Sequence, residues 1–301
     1  MTDRESTEFE RLMSELRPKL HRYCARMTGS AMDGEDVVQD ALIKALYALP
    51  GAGLINNPEG WLFRIAHNTA LDFLRRRARQ PIMEDHEVLD MIPAADSAGT
   101  DEEVTTMSLR TFMRLPALQR STVILKDVLG HSIAEISSII GVTEPAIKSA
   151  LQRGRVRLRE LAAEQVDVVL PSLPDAVRSR LIEYVEGFKS GDFDAVRAML
   201  ADDVTLELIA RLRKQGKSEV GEYYARYAAS KQWSYGAGIV DGRTAMLVFD
   251  REISVGSPAY FVILSFDDGH VVSIHDFLFA RYAMEGAEMI PLRSESSYES
   301  S

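Results

Sequence analysis

Apolar residues recur at three- and four-residue intervals from 8 to 79, with breaks at Thr28–Asp33 and Pro50–Pro58, and again from 101 to 165. That period predicts two helical stretches. Residues 80–100 between them combine Pro81, Pro93 and the run Ala94–Gly99 with many acids, and predict a flexible linker. A second break, from Val169 to Asp175 with Pro171 and Pro174, precedes a different grammar. Helices over about 176–190, 192–200 and 218–229 are followed by apolar runs near 233–240, 244–250, 259–267 and 270–279. Asp241-Gly242 and Asp268-Gly269 sit between such runs and predict tight hairpins in a curved antiparallel sheet. The expected fold is multidomain. Two all-α domains cover 8–79 and 101–165, a Pro-containing connector 166–175, an α+β domain 176–285, and a disordered tail 286–301.

At 301 residues and 33.6 kDa the chain has room for two or three domains. Hydrophobic residues at 46% and charged residues at 27% exclude a disordered polymer and a disulfide-stapled miniprotein. The single cysteine, Cys24, excludes an internal disulfide and a zinc site built on several thiolates, and fits a reducing compartment. No run approaches the ~18 apolar residues of a membrane span, and the opening MTDRESTEFE is no secretory signal. A soluble, cytoplasmic protein with no membrane contact is expected, with no metal and no cofactor. The net charge of −10 argues against indiscriminate DNA binding, but the charges are sorted. Residues 61–79 hold five arginines and one aspartate, 80–109 hold eight acids and no Lys or Arg, and 146–160 hold five basic residues and one acid. This alternation predicts two nucleic-acid contacts separated by a segment that repels nucleic acid or imitates it.

On a helix from Glu144 to Leu161, Ile147, Ala150, Leu151, Gly154, Leu158 and Leu161 form an apolar stripe. Lys148, Gln152, Arg155 and Arg159 fall in a narrow arc elsewhere. Ser132–Ile140 and a turn at Gly141–Thr143 precede it, which is helix-turn-helix grammar with a basic second helix for the major groove. An ordinary helical hairpin with a solvated basic face has the same pattern. On the helix from Trp61 to Arg77, Trp61, Arg64, Asn68, Asp72 and Arg75 share a face. An amide, arginines and an aromatic on one stripe suit base contact, phosphate grip and stacking on an unpaired base. A solvated face held by Asp72 with Arg75 or Arg76, and a core role for Trp61, is the alternative. In the third stretch Asp33 is expected to cap a helix with Asp36 at its third position. Asp36, Gln39, Asp40, Ile43 and Tyr47 line one of its faces, opposite Val38, Ala41 and Ala45. Carboxylates interleaved with Ile and Tyr suit a protein partner, although acidic helix starts also simply offset the helix dipole.

In chain order these stretches read DGEDVVQDALIKAL, NPEGWLFRIAHNTALDFLRRRAR and LPALQRSTVILKDVLGHSIAEISSIIGVTEPAIKSALQRGRVRLREL. Together, over about residues 8–162, they closely resemble a bacterial RNA polymerase sigma factor of the extracytoplasmic function (ECF) group. The resemblance implies two partners, core RNA polymerase and promoter DNA. By position, Asp36, Gln39 and Asp40 inherit docking on the polymerase clamp. Trp61, Asn68, Asp72, Arg75, Arg76 and Arg77 inherit opening and reading of the minus-ten element. Lys148, Ser149, Gln152, Arg153 and Arg155 inherit reading of the minus-thirty-five element. His67 stands where many relatives carry arginine, and the linker is expected to occupy a basic polymerase channel.

Residues 176–285 resemble the SnoaL-like, nuclear-transport-factor-like cone that some of these sigma factors carry. RLIEYVEGFKSGDFDAVRAMLADDVTLEL matches its opening helices and first strand, and GHVVSIHDFLFARYAM its last strand. The connector LPSLPD departs from the tryptophan-containing connector of one large group. The implied role is internal regulation through an intramolecular contact with the helical domains, with any small-molecule ligand unidentified. Free-standing relatives include cyclases and isomerases that use a pocket carboxylate or histidine. Here His275 and Asp276 are adjacent on an expected strand and point to opposite faces. Asp202 and Asp203 are expected to cap or turn a helix end, and His270 lies beside a hairpin turn. No acid–base pair emerges, so no enzyme is expected. The alternative is a one-component regulator that senses a ligand and binds DNA without core polymerase. Helices 35–47 and 61–77 separate the two readings, because such a regulator needs neither.

Overall fold

The computed structural model describes residues 3–79, 107–164 and 173–292, except 225, 226, 229–231 and 253–255. The linker 80–100, most of the connector and the chain after Leu292 lie outside the described residues. The chain divides into two units, Met1–Asp167 and Val168–Ser301.

The first unit is all helix: α1 Asp3–Thr28, α2 Ala31–Ala48, α3 Pro58–Arg79, α4 Leu109–Met113, α5 Ala117–Val123, α6 Ile133–Ile140 and α7 Glu144–Ala163. A π turn, Ile124–Val128, extends α5. The period-3.6 pattern sorts these helices as expected. All six apolar stripe residues of α7, Ile147 to Leu161, are buried. Gly154 lies where α7 crosses α5: an added Cβ would come within 2.7 Å of Val123 Cγ2 and 3.2 Å of the Gln119 carbonyl. The helical stretches on either side of the linker do not keep separate cores. Tyr23, Phe63 and Ala66 belong to the same buried cluster as Phe112, Ile124, Ile136 and Leu158. One local expectation is corrected. Helix α2 begins earlier than Asp33, because Ser30 is its N-cap and accepts from the Asp33 N–H.

The second unit is α+β. Helices α8 Asp175–Ser190, α9 Phe193–Ala198 and α10 Lys217–Tyr223 pack with a seven-stranded sheet. Its strands are β1 Leu200–Leu208, β2 Leu212–Gln215, β3 Trp233–Val240, β4 Arg243–Asp250, β5 Tyr260–Asp267, β6 His270–Asp276 and β7 Met289–Pro291. Their order is β2-β1-β6-β5-β4-β3-β7, with β1 parallel to β6 and every other pair antiparallel. Both Asp-Gly pairs close two-residue hairpins, and all four of those residues have positive φ. This is the geometry that matches the right-handed twist of paired strands. Leu181, Tyr184, Val185 and Phe188 put one stripe of α8 into the core beneath the sheet.

Two expectations are corrected here. Asp202 and Asp203 lie within β1 rather than at a helix end, since the chain passes into the strand at Leu200. Part of the tail expected to be disordered is ordered: Met289, Ile290 and Pro291 pair with Val240, Ile239 and Gly238 of β3. The strand edge supplies backbone partners that a sequence pattern of three residues cannot announce.

Candidate nucleic-acid and protein interfaces

Four acids stand in the first half of α2, and the fold separates them. Asp33 and Glu35 are buried, where Arg77 Nη1 meets Asp33 Oδ2 at 3.1 Å and Arg17 bonds Glu35. Asp36 and Asp40 face solvent, and Gln39 is half-buried between them. The same face continues through Ile43, Leu46 and Tyr47, which are 45%, 44% and 85% exposed. Large apolar side chains that no other element covers, flanked by carboxylates, form a surface suited to a protein partner. Glu35 shares its face with Val38 and Leu42, three and seven residues on, so its inward direction was readable from the period.

Helix α3 presents Arg64, Asn68, Asp72 and Arg75 to solvent. Trp61 at its start is half-buried, edge-on to Phe9 with ring centroids 5.9 Å apart. Asp72 accepts from Arg75 at 3.1 Å, Arg76 lies 3.8 Å from Asp40, and Arg77 is the partner of buried Asp33. The three consecutive arginines therefore differ in what they hold. Arg75 stays on the exposed stripe, while Arg76 and Arg77 tie α3 to α2. Arg76, Arg77 and Arg79 also occupy the last turn, where positive charge offsets the helix dipole. His67 points inward: its Nδ1 lies 2.7 Å from the Tyr23 hydroxyl, and burial pushes its pKa down to about 4. A neutral, buried imidazole is part of the core at that position.

In the helix-turn-helix, Ser132 and Glu135 form a capping box at the start of α6. The two bonds that Glu135 and Ser132 exchange hold the Glu135 carboxyl below its ordinary pKa. Gly141 ends α6 at φ 82°, and Ser137 Oγ donates to the Val142 carbonyl at 2.6 Å, which fixes the turn. On α7, Lys148, Ser149, Gln152 and Arg153 are exposed. Arg153 Nη1 donates to Ser149 Oγ at 2.6 Å. Arg155 is held differently. Its Nε and Nη2 donate to the two carboxylate oxygens of Asp127, at 2.9 and 2.5 Å, and Asp127 is buried. This bidentate pair joins the π turn to α7. Sequence reasoning missed Asp127, since nothing local links residues 28 positions apart.

In the second unit, buried Asp276 accepts from the hydroxyls of Tyr223 and Tyr227 at 2.7 and 2.5 Å, and from the Leu278 N–H at 2.8 Å. Tyr260, Trp233 and Phe188 pack around Tyr227. His275 lies half-buried beside Ser273, and burial brings its pKa down to about 4. Asp276 and His275 thus belong to different environments. Among the described residues no group of His, Cys, Asp and Glu is arranged to hold a metal ion.

The comparisons bear on both units. Residues 12–80 match Sigma-70 region 2, and residues 109–158 match Sigma-70, region 4. The chain is 30% identical over 218 residues to the ECF RNA polymerase sigma factor SigG of Mycobacterium tuberculosis. That match covers 64% of this chain and 59% of SigG. It is 34% identical over 156 residues to SigM of the same species, covering 51% of this chain and 76% of SigM. The crystal structure of M. tuberculosis SigJ, at 18% identity and a TM-score of 0.36, covers 89% of this chain and is covered to 95%. Solved neighbours also include a putative polyketide cyclase and an NTF-2 like protein, with TM-scores of 0.27 and 0.28. Two sigma-70 regions in order on one helical unit, and 34% identity to a relative matched over three-quarters of its length, place this chain among the ECF RNA polymerase sigma factors.

Proposed function

We propose that the chain directs core RNA polymerase to particular promoters and starts transcription there, catalysing no bond change itself. Asp36, Gln39 and Asp40 dock on the polymerase with the apolar residues beside them. Trp61, Asn68, Asp72 and Arg75–Arg77 serve the minus-ten element. Lys148, Ser149, Gln152 and Arg153 serve the minus-thirty-five element, and Arg155 supports them from its bond to Asp127. In this reading the working domains are 8–79 and 101–165, the linker 80–100 runs through a basic polymerase channel, and the site of action is the cytoplasm. Among the described residues no helix is long and apolar enough to cross a membrane.

The observation that carries the reading is the uncovered α2 face, with Asp36 and Asp40 beside Ile43, Leu46 and Tyr47. A regulator that only binds DNA has no use for it. Reversing both acids to lysine sets like charge against the basic clamp and should weaken binding to core polymerase by a few kcal/mol, about a hundredfold. Circular dichroism should show the helices intact, because both side chains point outward. Unchanged co-purification with core polymerase would sink the assignment. Promoter binding that needs no polymerase would mark a one-component regulator instead.

The second unit, in the same proposal, is an internal regulator that contacts the helical unit. Short tethering keeps its local concentration high, so a weak contact suffices. Full-length chain and a chain ending at Leu170 should differ in transcript yield from one promoter at matched concentration. Equal yields would remove this part and leave the docking proposal standing.

A further inference from the structure

Within the first unit, the helices that precede the linker and those that follow it meet along a fitted seam. Gly29, at φ 79°, ends α1 under Met113 of α4. A Cβ added there would lie 2.4 Å from Met113 Cγ, so no residue larger than glycine fits while Met113 sits in place. Arg120 of α5 is buried and donates to the Met27 carbonyl of α1 at 2.6 Å, and to the Met113 and Leu115 carbonyls at 3.2 and 2.9 Å. A cation on the carbonyl end of α1 is favoured by the helix dipole. Buried Arg26 of α1 lies over the Phe112 ring of α4 at 5.6 Å, and Phe63 of α3 meets His131 edge-on at 5.0 Å. These contacts come from four helices and the loop before α6. They show the selectivity of a built interface rather than of casual collapse.

The closed arrangement conflicts with the work proposed above. Elements named for positions ten and thirty-five are about 25 base pairs apart, or roughly 85 Å at 3.4 Å per step. A compact unit of this size has a radius of gyration of roughly 15 Å and cannot reach both. Helix α6 also crowds the minus-ten surface. Its Ser138 lines the same depression as Trp61 and Arg64, next to a groove of 430 Å³ between Glu59 and Glu135.

We propose that the seam of Gly29, Met113, Arg120, Met27, Phe63 and His131 is an autoinhibitory latch that holds the free chain closed and must open before promoter binding. This rests on the polymerase reading. In the closed form the α2 docking face remains exposed, so polymerase can engage first and DNA afterwards.

The ideal Cβ of Gly29 lies 3.8 Å from Met113 Cβ, the separation that a disulfide prefers. The test is therefore the full chain carrying Gly29→Cys and Met113→Cys, with Cys24→Ala to remove the native thiol. Mild oxidation of the free chain should form the bond, read as a mobility shift on a non-reducing gel. The oxidised protein should still co-purify with core polymerase. Its run-off transcription should fall at least tenfold and return on reduction. Thiols that fail to pair in the folded chain, or an oxidised chain that transcribes normally, would overturn the latch. If wild type and reduced variant both fail to transcribe, the polymerase reading falls, while pairing alone still decides whether the chain is closed. Should the cysteine variant not fold, Met113→Glu carries the test, with spin labels at exposed positions 48 and 162. A longer label distance than in the wild-type background supports the latch, and an unchanged distance overturns it.

Discussion

The two units handle polar groups in opposite ways. The helical unit spends its arginines on carboxylates: Arg17 on Glu35, Arg77 on Asp33, Arg155 on Asp127, each with the acid buried and the arginine nearer the surface. What remains outside is the set assigned to partners. The sheet unit instead turns hydroxyls inward, with Tyr223 and Tyr227 bonded to Asp276, and Tyr184 3.0 Å from Tyr224. Its surface ion pairs are short-range helix pairs such as Arg180–Glu183 and Lys189–Glu186, worth little each. The difference teaches where function sits. A unit with paired arginines inside and an acidic, apolar helix face outside is built to meet macromolecules. A unit whose one buried carboxylate is enclosed by tyrosines has that carboxylate committed to holding its own fold.

That contrast is most exposed to Asp276→Ala. Two tyrosine hydroxyls and the Leu278 N–H would lose their acceptor in a buried site, a loss of about 3 kcal/mol or more from the sheet unit. Denaturant melts followed by Trp233 fluorescence should show it, while the helical unit keeps its transition. A neutral result would mean that the tyrosines are satisfied some other way.

Acid should act on both units alike. His67 and His275 each have pKa values pushed down to about 4 by burial, against 6.5 for an ordinary histidine. The unfolded chain therefore binds protons first as pH falls below about 6.5. The stability contributed by each neutral imidazole is lost progressively from there to pH 4, by about 2 to 3 kcal/mol per site. Melts between pH 7 and 4 should follow this slope in each unit, and His67→Gln should flatten it in the helical unit alone.

The smallest effects separate neighbours on α7. Arg155→Ala leaves buried Asp127 without its bidentate partner, and should lower thermal stability by about 2 kcal/mol. Gln152→Ala should leave stability unchanged and weaken promoter binding by about 1 kcal/mol, at one base position if the amide reads an adenine edge. Loss of stability in both variants, or in neither, would erase the distinction drawn between them.

Much of this protein was settled by its sequence alone. The apolar stripe of α7, the breaks that end α1 and α2, and the Asp-Gly hairpins all follow from residues within a few positions of one another. Local sterics and the 3.6 and 2.0 periods decide them. The motifs that carry the sigma resemblance are legible for the same reason, since each lies on one helix. Only the tertiary structure decided which acids of α2 face solvent, because Asp33 and Glu35 turn inward to meet Arg77 and Arg17 from other helices. It alone paired Arg155 with Asp127, set β1 parallel to β6, drew Met289–Pro291 onto β3, and closed the seam at Gly29. These are contacts between distant segments. Their energy comes from pairing, burial and shape fit that exist only once the chain has folded, and no period in the sequence encodes them.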